Sequence, residues 1–146
     1  MNRRDAGRGQ ALVEFSLAIV VFLMLLMAVF DLGRAIYQYN GVAQAAREIA
    51  RVTSVHPGTD FRTSTGRSAE TNAVIATQTS LIPGLQDPDI TCVLIDGTVK
   101  TGTCTPADWI NVSIVAPYTP VTPLLGLTGT WDLFSASTSA QLQKGT

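Results

Sequence analysis

A chain of 146 residues has room for one modest domain, less whatever a membrane segment takes. Charged residues are only 14% of it, apolar residues 46%, and the formal net charge is −1, a low charge density that suits a protein partly solvated by lipid. No basic patch follows Arg3, Arg4 and Arg8, which argues against a nucleic-acid partner.

The first element is Ala11 to Phe30. Every residue in it is apolar or small except Glu14 and Ser16. As a helix it is ~30 Å long, the thickness of a bilayer's hydrocarbon core. The three arginines before it keep the N-terminus in the cytoplasm and put everything after Phe30 outside, a single-pass topology in the cytoplasmic (inner) membrane. A secretory signal peptide is the competing reading, but Asp31-Leu32-Gly33 is a poor match to a small-residue cleavage site. Glu14 is the anomaly: an ionised residue at mid-span costs about 2.5–3.5 kcal/mol, so it is a functional candidate by default. The plain alternative is that it snorkels to the lipid–water boundary.

Gly9-Gln10-Ala11-Leu12-Val13-Glu14-Phe15 places a glycine five residues before a glutamate, after a short basic leader and at the entrance to an apolar helix. This arrangement resembles the type IV prepilin processing site. More closely, Arg8 to Phe15 resembles the TadE-like family, pseudopilins of tight-adherence (Flp) pilus systems. The resemblance implies that residues 1–9 are a leader and that a membrane-embedded aspartyl prepilin peptidase cuts between Gly9 and Gln10. Glu14, followed by Phe15, would then register the subunit by meeting the new amine of a neighbour's Gln10. A charge in lipid is tolerable only with such a partner. Asp31-Leu32-Gly33-Arg34 is similar to the Glu-Phe-Gly-Arg often found at that place in the family. Many relatives carry a proline within the span; this chain has none, so no kink is implied.

The transmembrane segment, residues 10–30, is expected to continue as an amphipathic helix over 31–52. Leu32, Ile36, Tyr39, Ala43, Ala46 and Ala50 recur at three- and four-residue steps and make one apolar stripe. That stripe is expected to be the face that meets the domain. Gly33 and Gly41 are possible bends. Residues 53–146 make an extracytoplasmic domain. Thr53 to Arg67 reads as a loop, with the lone His56 solvated. Ser68 to Leu81 reads as a second helix, capped by Ser68, with Glu70 in its first turn and Pro83-Gly84 after it. Ile90 to Ile95 is a strand ending at the turn dipeptide Asp96-Gly97. Trp109 to Ala116 alternates, with Ile110, Val112, Ile114 and Ala116 on one face. A proline-rich loop, 117–129, holds the apolar run Leu124 to Leu127, a contact patch or a buried plug. Thr130 to Leu142 is the last strand. The fold class is therefore α+β: a long N-terminal helix, a short second helix and an antiparallel sheet of about three strands.

Cys92 and Cys104 both fall outside the membrane, where an oxidising compartment lets them pair; two free thiols are the alternative. Their spacing, without a nearby histidine, does not match a zinc site. There is no G-x-S-x-G, phosphate-cradling glycine loop or H-E-x-x-H, so no catalytic residue, metal or cofactor is assigned. Asp87, Asp89, Asp96 and Asp108 read as solvated turn residues rather than a cation site. The resemblance makes the chain a non-enzymatic pseudopilin or minor pilin that acts in pilus assembly and cell adhesion. Its partners would be the prepilin peptidase, other pilins and the assembly platform. The alternative is an unprocessed single-span anchor displaying a small binding or adhesion domain.

Overall fold

The computed structural model describes residues 3–100, 104–105, 108–122 and 131–141. Helix α1 spans Arg3–Val55 and passes through Gly33 and Gly41 without a break. At 1.5 Å per residue it is about 80 Å long. It ends where Pro57 disfavours helix in the residue before it; His56 N still donates to Val52 O at 2.9 Å. Helix α2 is Ala69–Leu81. Its cap is Ser68, which accepts from Thr71 N, and Glu70 lies in its first turn. The chain then reverses at Gly84, whose φ of 78° is one that glycine adopts at no steric cost.

Four strands follow: β1 (Asp89–Val93), β2 (Val99–Lys100), β3 (Trp109–Tyr118) and β4 (Trp131–Gln141). They form one antiparallel sheet in the order β2-β1-β3-β4, behind a long helix, so the α+β class holds. The two-residue β2 was not expected; it adds a short fourth strand across the Asp96-Gly97 turn. Asp96 Oδ1 accepts from Thr98 N and Oγ1 at that turn, and Gly97 sits at φ 85°. Strand β3 runs two residues beyond its expected end. Pro117 has no N–H to give the ladder, and the register shifts between Ala116 and Tyr118, a bulge that lets the strand continue past a proline. Leu124 to Leu127 lies outside the described residues.

The core lies between α1 and one face of the sheet. Ile110, Val112, Ile114, Ala116 and Tyr118 alternate inward along β3, with Ile90 and Cys92 beside them on β1. Helix α1 meets them with Val42, Ala45, Ala46, Ile49 and Ala50. This corrects the expected stripe: Ala46 and Ala50 are buried, whereas Leu32, Ile36 and Tyr39 are exposed. The packed face is centred about a quarter-turn away and combines Ala45, Ala46 and Ala50 with Val42 and Ile49.

The segment between the helices is more ordered than a solvated loop. Phe61 is buried in the core, and Gly66 O accepts from Thr59 N at 2.8 Å. A Cβ on Gly58 would collide with Gly66 O, so this crossing needs a glycine. Arg67, itself buried, holds the loop to the strand entry. Its Nε donates to Phe61 O at 2.8 Å, its Nη2 donates to Pro88 O at 2.8 Å, and its two terminal nitrogens grip Asp87 at 2.8 and 3.0 Å. Cys92 and Cys104 are disulfide-bonded, with Cα atoms 6.0 Å apart.

Candidate functional site

Two sets of residues stand out, one along the bare half of α1 and one where that half meets the domain. The first begins at Gly9. Gly9, Gln10, Glu14 and Phe15 are all exposed, and a Cβ on Gly9 would meet nothing within 4 Å. Packing among the described residues therefore does not require a glycine there. From Gly9 onward α1 is long and apolar enough to cross a membrane, and its most apolar window is wholly unburied. Ser16 Oγ donates to Val13 O at 2.8 Å, so that hydroxyl is satisfied inside the helix. Glu14 has no hydrogen-bond or ion-pair partner among the described residues.

The second set is built on Asp31, the residue after Phe30. Among the described residues none from Gly9 to Phe30 belongs to the core, whereas Asp31 is buried. The Asp31 side chain is buried under the turn that leaves β3. Its Oδ2 accepts from Thr122 N at 2.8 Å and from Thr122 Oγ1 at 2.6 Å; its Oδ1 accepts from Val121 N at 3.2 Å. Tyr118 Oη donates to Asp31 O at 2.8 Å, and the Arg34 guanidinium lies 5.7 Å from the centroid of the Tyr118 ring. The Thr122 hydroxyl and N–H hold the Asp31 carboxyl below its ordinary range, with burial opposing them and Val121 N–H and Arg34 assisting. Burial pushes the Tyr118 phenol up, and the Asp31 charge adds to that. The Asp31-to-Arg34 motif was visible in the sequence. Its partners, some 90 positions away, were not, because a side chain reaching a distant turn leaves no local period.

The other candidates divide. Cys92 and Cys104 come together as a disulfide, whereas the glycine-to-glutamate set stays spread along one helix. His56 is exposed. Asp96 is a turn residue as expected, but Asp108 is buried, which corrects its reading as solvated. Asp108 Oδ2 accepts from Lys100 Nζ at 2.7 Å and from Thr105 N at 2.6 Å, and these contacts, with Lys100 foremost, bring its carboxyl down to about 2. Asp87 pairs with Arg67. Among the described residues no group of three or more His, Cys, Asp or Glu is placed to hold a metal ion.

Compared with known proteins, residues 9–51 match the family model of the TadE-like protein. The match starts at Gly9, includes Gln10, Glu14, Phe15 and Asp31, and stops before α1 ends. No curated protein and no solved structure is matched. The matched segment lies wholly within α1 and takes in the stretch that is long and apolar enough to cross a membrane.

Proposed function

We propose that this TadE-like chain is a non-enzymatic pseudopilin or minor pilin. It is made with a leader, held in the inner membrane with its domain outside, and cut by a prepilin peptidase after Gly9. The mature chain then joins the assembly platform or the filament of a tight-adherence pilus.

The observation that carries this reading is the pairing of an unpacked Gly9 with an unpartnered Glu14 inside the matched segment. A helical glycine costs roughly 1 kcal/mol against alanine, and a carboxylate in lipid costs more. Neither residue is explained by contacts among the described residues. A peptidase needing a small residue before the cut accounts for the first. An ammonium on a neighbour's Gln10 accounts for the second, because breaking a buried pair is far costlier than keeping it. Removing residues 1–9 also strips three arginines and one aspartate, leaving a helix whose leading end is no longer strongly basic.

The test is mass spectrometry of the full chain expressed with and without the cognate prepilin peptidase. Loss of residues 1–9, with Gln10 as the first residue, is the expected result. A chain that keeps its leader while working normally in its host would leave a tethered external domain instead.

A further inference from the structure

The domain is tied to α1 without a spacer. Asp31 directly follows the apolar stretch, and its hydrogen bonds to Val121 and Thr122 are 2.6–3.2 Å long. Tyr118, the last residue of β3, bonds the Asp31 carbonyl, and Trp131, the first of β4, is its register partner. If a ~30 Å core is filled by Ala11 to Phe30, a headgroup layer of about 5–7 Å begins at Asp31 and spans Asp31 to Arg34. Whatever is hydrogen-bonded to Asp31 lies at the same depth.

The residues at that level suit the layer. Leu32 and Val121 are 61% and 62% exposed, although both are apolar. Arg34 supplies a cation beside the Tyr118 ring. Exposed apolar side chains beside an arginine at one level suit the boundary between acyl chains and headgroups.

We propose that the base of the domain, marked by Leu32, Arg34 and Val121 at the Tyr118 end of β3, rests in the phospholipid headgroup layer. The protein then holds the membrane with its domain as well as with its helix. This rests on the reading that α1 spans the bilayer.

The two tryptophans allow a direct test. Trp109 begins β3 at the far end from Tyr118, about 30 Å away along the strand. Trp109→Phe changes a partly exposed residue and leaves Trp131 as the sole tryptophan emitter. The full chain is reconstituted in phosphatidylcholine vesicles whose acyl chains carry bromine either near the headgroup or at the chain end. Emission of the W109F protein is expected to fall to about half with shallow bromine and less with deep bromine. The wild type, which still has the distal Trp109, loses a smaller fraction. If the W109F protein floats with the vesicles but its emission is unchanged by either lipid, the docking is overturned, and the exposed Val121 face is left to a protein neighbour. If the protein does not float with the vesicles, the spanning helix itself is overturned.

Discussion

Asp31 Oδ2 accepts two hydrogen bonds from Thr122, one from its N–H and one from its hydroxyl, across a separation of 91 residues. This pair joins the first residue after the apolar stretch to the turn that leaves the central strand. It also joins the segment matched by the family model to the part of the chain that the model does not reach. Asp31→Ala is therefore expected to lower the thermal midpoint of the domain in detergent by about 5–10 °C, because the Val121 and Thr122 donors are left unmet in a buried place. Asp31→Asn keeps one acceptor oxygen and should fall between. Thr122→Val should cost less than Asp31→Ala, and the double variant less than the sum of the two. Unchanged midpoints in all of them would remove the tether.

Arg67 and Asp87 form an unequal pair, and the variants should be unequal too. The Arg67 side chain is 2% exposed and that of Asp87 69%. Arg67→Met strands two buried carbonyl acceptors, Phe61 O and Pro88 O, and is expected to cost about 2–4 kcal/mol in urea unfolding. Arg67→Lys should recover little of this, since an ammonium cannot reproduce the planar fork. Asp87→Asn should cost under about 1 kcal/mol, as exposed partners do. Equal losses at the two positions would contradict this account.

Periodicity carried the architecture. The apolar run, the capped second helix, the Asp96-Gly97 turn and the alternation of β3 each follow a local rule that the residues display openly. It misplaced the packed face of α1, because Leu32, Ile36 and Tyr39 are larger than the alanines that meet the sheet. Alanines carry a weak hydrophobic signal, so large apolar residues on the neighbouring face dominate the period. It stopped β3 at Pro117, although a bulge carries the strand past it. The tethers at Asp31, Arg67 and Asp108 depend on partners brought near only by the fold, and single-chain patterns hold no record of them. For Gly9 and Glu14 the order is reversed: their spacing stands out in the sequence, while among the described residues neither has a tertiary partner.

The disulfide closes a short loop, Cys92 to Cys104, and ties β1 to the segment before β3. The chain-entropy model gives a stabilisation of about 3 kcal/mol for a loop of this size. The mass of the folded protein should be unchanged by alkylation without reductant and should shift after reduction. Cys92→Ser with Cys104→Ser should lower stability by roughly that amount; an equally stable double variant would show that the bridge adds nothing.

Asp108 makes the domain sensitive to acid in a stated direction. Its folded carboxyl titrates at about 2, below the ordinary ~3.9 of the unfolded chain, so the folded state binds fewer protons between those values. Its contribution is complete above about pH 5 and is lost as the pH falls toward 2. Asp31 and Asp96 are shifted in the same direction and add to the loss. The urea midpoint should therefore drop between about pH 5 and pH 2.5, and Asp108→Asn should drop less over that interval than the wild type. A parallel decline in the two proteins would assign the acid sensitivity to other groups.

Glu14 separates assembly from folding. It is exposed, has no partner among the described residues, and lies on a stretch of α1 that contributes no core residue, so the domain should unfold at the same temperature in Glu14→Ala as in the wild type. If its partner is the amine of a processed neighbour, the variant should still be cut after Gly9 yet fail to enter pili. That would be read as its loss from sheared filaments of the native host while membrane levels hold. Glu14→Asp shortens the reach to that amine and should recover only part of the loss. Normal incorporation of Glu14→Ala would show that the carboxylate snorkels to water and takes no part in registering subunits.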